Sequence, residues 1–201
     1  MLRPGFQHGA PMDAFSYLSV LISIILGFAV TQVLQGFRGL MLARSRLHAY
    51  WPSILWGVLL LLLDVQAWWA MYDLRYYEYH HAWNFLGFAV VLSETVPLYL
   101  QAALVFPDVA VEGEVDLRTH YYDNHRWFFV LGMLLMVASL LKNAVLYHHL
   151  PALSDTTYQL VFLVTCGIAA WTRREWFHKL FAVAAAIGLV AYVSMLFMQL
   201  R

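Results

Sequence analysis

The stretch GMLLMVASLLKNAVLYHHLP, Gly132 to Pro151, joins an apolar run long enough to enter a membrane with a charged side chain. Lys142 and Asn143 interrupt this run, and His148 and His149 follow it. An ammonium group inside hydrocarbon costs roughly 3 kcal/mol on insertion scales, so it normally meets a carboxylate, water or the membrane interface. The stretch therefore predicts a membrane helix that carries a polar site.

The composition of the whole chain is that of an integral membrane protein. Of the 201 residues, 62% are hydrophobic and 12% are charged, whereas soluble domains are nearer half apolar and a quarter charged. The net charge is zero, so nucleic acid is not an expected partner. Metalloprotease, nucleophile-elbow, phosphate-loop and CxxC motifs are absent from the sequence, which favours a protein that is not an enzyme and needs no cofactor.

Apolar segments predict an all-α bundle of six transmembrane helices. Residues 1–12 are rich in Gly and Pro and form a flexible N-terminal tail, and residues 13–201 form a single membrane domain. A run of about 20 apolar residues is enough to cross a bilayer as a helix. The predicted spans are residues 14–37, 51–72, 83–106, 126–147, 156–172 and 180–200.

The distribution of Lys and Arg predicts the orientation of these spans. One set of loops holds Arg38, Arg44, Arg46, Arg118, Arg126, Arg173, Arg174 and Lys179. The other side holds only Arg3, Arg75 and Arg201. Because positive loops stay in the cytoplasm, both termini are expected outside. We expect a multi-pass protein of a cell membrane, of the bacterial inner-membrane type, in contact with lipid.

Three charged side chains lie within predicted spans, namely Asp64, Glu94 and Lys142. At a rise of about 1.5 Å per residue, Lys142 lies roughly 8–9 Å below the outer end of its span, Asp64 roughly 12 Å and Glu94 roughly 17 Å. These heights favour an Asp64–Lys142 pair with Glu94 deeper. Gln101 lies on the same side of its helix as Glu94, and Asn143 adjoins Lys142.

Two interpretations of these charges are open. In the first, they form a polar pathway for an ion or a proton, and the protein is a small channel or transporter. In the second, an ion pair only fixes the helix register, and the protein is an accessory, sensor or scaffold subunit. A Lys142 side chain that reaches the interface alone is a third arrangement.

Two histidine pairs, His80–His81 and His148–His149, are predicted at the outer face. Neighbouring residues on a helix point about 100° apart, so neither pair alone is a good chelate. The two pairs together offer a weak metal site. A metal-binding protein or membrane enzyme that uses outer His and Tyr residues is the remaining alternative.

Small residues recur at every fourth position in the first span, at Ser19, Ser23, Gly27 and Thr31. Ala184 and Gly188 have the same spacing in the last span. Such stripes allow helices to approach closely in a membrane. We expect them to mediate helix packing, within the chain, in a homo-oligomer or with another membrane protein.

Overall fold

The computed structural model describes residues 14–80, 84–109, 113–146 and 153–199 and is all-α, as predicted. The predicted tail at residues 1–12 lies outside this part. The helices are α1 (Ala14–Leu42), α2 (Trp51–His80), α3 (Phe85–Leu104), α4 (Leu117–Leu146), α5 (Leu153–Trp171) and α6 (Glu175–Gln199). A 3-10 turn (Arg44–Arg46) and two short strands, β1 (Leu47–His48) and β2 (Val115–Asp116), complete the described elements.

Five of the six helices are long and apolar enough to cross a membrane. Their apolar parts are residues 16–42, 51–70, 85–104, 117–146 and 175–194. The fifth predicted span, residues 156–172, corresponds to α5, which is not among the five. Its first turns carry Asp155, Thr156 and Gln159, which lower the hydropathy of a helix of only 19 residues. The five apolar helices are those of a multi-pass membrane protein.

Helix α4 begins much earlier than the predicted span at residue 126 because Asp116 caps it. The Asp116 carboxylate accepts hydrogen bonds from the Arg118 backbone N–H (2.9 Å) and from the Thr119 hydroxyl (2.6 Å). The bond from the Arg118 N–H satisfies one of the backbone donors that a helix N-terminus leaves without a partner. The capped helix therefore continues through 30 residues to Leu146, near Lys142.

Three connections meet at one end of the bundle, which we call the basic end. Strand β1 follows α1 and pairs in parallel with β2, which precedes α4. Arg46 donates to the Gly113 carbonyl, and Arg118 forms an ion pair of 2.8 Å with Glu175 at the start of α6. The α1–α2 connection, the α3–α4 connection and the start of α6 thus lie together.

The phenyl ring of Phe106 packs against both α1 and α2 near the basic end. The side chain is 6% exposed, and its ring lies 4.8 Å from that of Phe37 between centroids. A Cβ atom at Gly36 would lie 2.9 Å from Phe106 Cβ, and one at Gly57 would lie 2.7 Å from Phe106 Cε2. Both positions therefore require the space that only glycine leaves.

An aromatic layer crosses the bundle near the basic end and consists of Trp56, Phe128, Phe129 and Phe181. The Trp56 ring lies 5.6 Å from Phe128, 5.5 Å from Phe129 and 5.3 Å from Phe181 between centroids. All four side chains are buried. Their edge-to-face arrangement suits aromatic rings and joins α2, α4 and α6.

The small-residue stripe of α1 does not form the buried face of that helix. The buried side chains of α1 are Leu18, Ile22, Leu26, Ala29, Val33 and Leu40. Gly27 and Thr31 are exposed, and a Cβ atom at Gly27 would meet nothing within 4 Å. Their predicted packing role remains a prediction that concerns contacts beyond this chain.

The two small residues predicted to form a stripe on α6, Ala184 and Gly188, differ in burial. Ala184 is exposed. Gly188 is half-buried, and an added Cβ atom there would lie 3.2 Å from the Tyr158 ring. Gly188 therefore admits a close approach of α5 to α6.

Candidate intramembrane site

Lys142 is paired with Glu94, so the predicted Asp64–Lys142 pair is wrong. The Lys142 ammonium donates to Glu94 Oε2 at 2.8 Å, and this contact joins α4 to α3. The side chains retain only 20% and 16% of their exposure. The pair is therefore largely buried between α3 and α4.

Helix adjacency explains the change of partner. Helix α4 packs along α3 and α5, whereas it has little contact with α2, which carries Asp64. The predicted heights treated the helices as parallel rods with level ends and gave no information about neighbours. A Lys and a Glu side chain together span several ångströms, so a difference in height between their Cα atoms does not prevent pairing.

Asp64 is buried without a polar contact in the described part of the chain. The residue is 1% exposed, and neither carboxylate oxygen has a hydrogen-bond partner there. Its neighbours on the same face of α2 are apolar, including Leu60 and Ala67. An isolated charge in such surroundings is strongly unfavourable. Asp64 thus stands apart from the Lys142–Glu94 pair.

A cavity of about 350 Å³ lies between α2, α3, α4, α5 and α6. It extends from the aromatic layer at Trp56 towards Asn143 and Asp155 at the opposite end of the bundle. Its polar and charged lining residues include Gln66, Gln101, Ser139, Lys142, Asn143, Asp155 and Gln159. Cavities of this size hold small ligands in other proteins. The cavity therefore contains three residues of the predicted site, Gln101, Lys142 and Asn143.

Three glutamine oxygens at this cavity have no donor among the described residues. Gln101 is 6% exposed and donates through Nε2 to the Phe128 carbonyl at 3.1 Å, which leaves its Oε1 without a partner. The Oε1 atoms of Gln66 and Gln159 likewise have no hydrogen-bond donor among the described residues. A buried acceptor without a donor costs about 1–3 kcal/mol. Gln66, Gln101 and Gln159 all line the cavity through other atoms, while these three oxygens are themselves buried.

The Asn143 side chain forms a hydrogen bond within its own helix, α4. Its Nδ2 donates to the Ser139 carbonyl one turn earlier, at 2.9 Å. The bond directs the side chain along α4, where both residues line the cavity. Asn143 therefore contributes to the polar wall without bonding to Lys142 or Glu94 in the described structure.

The proposed histidine site cannot be built from the described residues. His81, His148 and His149 lie outside them, and the side chain of His80 is not described. Within residues 14–80, 84–109, 113–146 and 153–199, no group of three His, Cys, Asp or Glu side chains has the spacing of a metal site. The metal hypothesis stays a prediction.

A buried tyrosine–histidine cluster at the basic end was not foreseen from the sequence. His178 is fully buried; its Nε2 lies 2.9 Å from the Thr172 carbonyl and its Nδ1 3.0 Å from the Tyr121 hydroxyl. Since a carbonyl only accepts, Nε2 carries the proton and Nδ1 accepts from Tyr121. The same reasoning makes His125 a donor through Nδ1 to the Tyr122 carbonyl, at 2.6 Å.

Tyr50 also belongs to this cluster, because it contacts Tyr121 and Tyr122. Its hydroxyl lies 3.2 Å from that of Tyr122. Burial, and to a lesser degree this hydrogen bond, raise the pKa of Tyr50. The cluster residues were placed in loops or at span ends by their polarity, and no sequence signal showed that the extended α4 would bury them.

Comparisons with protein-family models, with curated proteins and with solved structures find no match to this chain.

Proposed function

We propose that this membrane protein is a small transporter or channel whose pathway passes through the cavity and its Lys142–Glu94 pair. The observation that carries the proposal is a buried ion pair inside an apolar helix bundle, whose Lys142 side chain lines the cavity. Ionisable groups within membrane segments are costly and usually serve ion or proton movement. The pair supplies one positive and one negative group that a passing ion or proton can engage.

Asp64 supports the same function independently. A fully buried carboxylate without a hydrogen-bond donor in the described part of the chain needs a proton or a cation to accompany it. Such a group can take up and release that partner when the surrounding helices move. Asp64 is therefore our candidate for the coupling site, with Glu94 and Lys142 on the pathway.

The aromatic layer gives this pathway a barrier. Trp56 lines the large cavity. Together with Phe128 it also lines a small cavity of about 10 Å³ next to Asn124 and His125. Apolar constrictions can close a pore by excluding water. We therefore assign the barrier between the two sides of the pathway to Trp56 and Phe128.

Flux through reconstituted protein tests the proposal. Proton, sodium and potassium fluxes are measured in proteoliposomes under an imposed potential, for wild type and for Asp64→Asn, Glu94→Gln and Lys142→Met. We expect each variant to lose about tenfold or more of the wild-type flux, because a charged group on the pathway is removed. Wild-type flux in the triple variant would refute the assigned roles.

A second ion pair provides the matched control. Lys179 and Glu175 are also 2.8 Å apart, but they lie one helical turn apart in α6 and do not line the cavity. Lys179→Met should leave the flux unchanged. If it reduces flux as much as Lys142→Met does, the effect is a general response to lost charge and does not identify a pathway.

The accessory-subunit hypothesis makes the opposite prediction for the double variant. If the Lys142–Glu94 pair only fixes the register of α3 and α4, a stable Lys142→Met/Glu94→Gln protein should behave as wild type in every flux assay. Thermal unfolding of the purified double variant establishes that it is folded before the fluxes are compared. A folded double variant that has lost flux argues against a purely structural pair.

A further inference from the structure

Three exposed arginines gather at the basic end where α4 passes the end of α5. They are Arg126, Arg173 and Arg174, which we call the arginine patch. The Arg126 guanidinium lies over the Trp171 ring, 5.4 Å from its centroid, and Arg173 and Arg174 follow Trp171 after a single residue. Within the described residues, none of the three arginines forms an ion pair. The patch therefore presents guanidinium groups whose charge is not balanced by a contacting carboxylate.

The carboxylates near the patch do not neutralise it. Glu175 follows Arg174 directly, but its two oxygens are engaged by Arg118 and Lys179, each at 2.8 Å. Asp123 is exposed on α4 and forms no ion pair with the patch in the described structure. This corner of the basic end thus keeps an excess of positive charge, which attracts an anion.

The patch lies where the uncharged parts of two helices end. After Arg126, α4 contains no charged residue until Lys142. Residues 156–171 of α5 are also uncharged, and Arg173 is the first charged residue after them. Uncharged apolar stretches enter the hydrocarbon, whereas exposed charges stay at the membrane surface because their burial in lipid is costly. The three guanidinium groups therefore lie at the level of the lipid headgroups.

Exposed aromatic and aliphatic side chains beside the patch support the same level. Trp127, Trp171 and Trp176 are 65%, 83% and 60% exposed, and tryptophan is typical of the membrane–water interface. Leu134 and Leu141 follow Trp127 at steps of seven residues, or about two helical turns, and both are exposed. The outer face of α4 therefore continues from the patch as an apolar track along which an acyl chain can pack.

We propose that the arginine patch binds the headgroup of an anionic phospholipid. The guanidinium groups donate to the phosphate oxygens, a geometry that arginine suits, and an acyl chain lies along the outer face of α4. A zwitterionic headgroup brings its own ammonium, which the excess positive charge of the patch disfavours, so a lipid with net negative charge binds more tightly. This site is independent of the transport function, which rests on the Lys142–Glu94 pair.

Two lipids with identical acyl chains test this proposal. Dioleoyl phosphatidylglycerol and dioleoyl phosphatidylcholine are titrated into the purified full chain in non-ionic detergent, and bound lipid is counted by native mass spectrometry. We expect saturable binding of phosphatidylglycerol and binding of phosphatidylcholine that is weaker by about tenfold. Inorganic phosphate at the same concentration should not displace the lipid, because it has no acyl chain. Equal binding of the two lipids, or displacement by inorganic phosphate, would overturn the assignment.

Single arginine variants locate the site. Arg126→Gln, Arg173→Gln and Arg174→Gln should each weaken phosphatidylglycerol binding by about fivefold and leave phosphatidylcholine binding unchanged. Arg38→Gln is the matched control and should bind as wild type, because Arg38 is exposed on α1, which packs mainly against α2 and α3. Unchanged affinity in the three patch variants would overturn the proposal. An equal loss in Arg38→Gln would also overturn it, since binding would then follow the overall charge of the basic end.

Discussion

The basic end of the bundle, up to and including the aromatic layer, and the part beyond that layer differ in how they are packed. Towards the basic end, Phe106 fills the space above Gly36 and Gly57, and the buried His178 has partners on both ring nitrogens. Beyond the layer lies a cavity of about 350 Å³ whose lining residues include Gln66, Gln101 and Gln159. Regions that bind or move ligands usually give up packing and local stability. The difference supports our proposal that the basic end contributes stability and that the cavity serves function.

The largest expected effect comes from removing the Phe106 ring. Phe106→Ala should lower the free energy of unfolding by about 3–5 kcal/mol, because it opens a cavity between two close helices. Denaturation of the purified protein in detergent micelles measures this loss. Phe28→Ala is the control, since Phe28 is 59% exposed on the outside of α1. Equal losses in the two variants would contradict the assignment of stability to the basic end.

The Lys142–Glu94 pair tests whether the part of the bundle around the cavity contributes stability at all. Lys142→Met leaves the Glu94 carboxylate without its cation and should cost about 2–4 kcal/mol, somewhat below the value for fully buried pairs because both side chains are partly exposed. Adding Glu94→Gln should restore most of this loss. The same denaturation assay compares the single and double variants.

The Lys179→Met control again separates this pair from an ordinary one. The Lys179–Glu175 pair is more exposed, so Lys179→Met should lower the free energy of unfolding much less than Lys142→Met does. A double Lys142→Met/Glu94→Gln variant that is no more stable than the single variant would show that lost packing, and not an unpaired charge, causes the effect.

This pair also marks the limit of prediction from the sequence. Composition and apolar run length predicted an all-α membrane fold, because lipid demands apolar helices whose backbone bonds are internal. The same signals identified Glu94, Lys142 and Gln101 as polar groups out of place in such helices. They could not identify the partner of Lys142, because helix adjacency depends on the packing of side chains such as Phe106 against distant glycines.

Helix ends and amphipathic faces were the other sources of error. The Asp116 cap extended α4 through a segment that polarity alone assigned to a loop, and this extension buried Tyr121 and His125. The buried face of α1 within this chain is the aliphatic one, so the packing role predicted for the stripe at Gly27 stays a prediction about contacts with other chains. A period of four small residues defines a helix face without showing which neighbour, if any, covers it.

Adding a methyl group beside Phe106 should produce a smaller loss than removing the ring. Gly57→Ala places a Cβ atom 3.1 Å from Phe37 Cζ and in overlap with Phe106. We expect a cost of about 1–3 kcal/mol in the free energy of unfolding, as is usual for overpacking. Gly27→Ala is the matched control, where open space and better helix propensity should give no loss or a gain of about 0.5–1 kcal/mol. A loss at Gly27 equal to that at Gly57 would refute the steric explanation.

The smallest effect is expected at the Asp116 cap of α4. Asp116→Ala should cost about 0.5–2 kcal/mol, the usual value of a helix N-cap. The hydrogen bond from Thr119, followed by that from the Arg118 N–H, lowers the pKa of Asp116 in the folded state. The folded protein therefore binds this proton less readily than the unfolded chain does, and acid favours unfolding.

The lowered pKa of Asp116 determines how the stability from this cap changes with pH. The stability that Asp116 contributes should be complete above its ordinary pKa of about 3.9 and should decline as the pH falls through the lower, folded value. Asp116→Asn keeps a capping oxygen but cannot titrate, so the stability difference between wild type and Asp116→Asn should shrink from pH 6 to pH 3. Unfolding of both proteins in detergent at these two pH values measures it. A difference that stays constant would show that the cap acts through hydrogen-bond geometry alone.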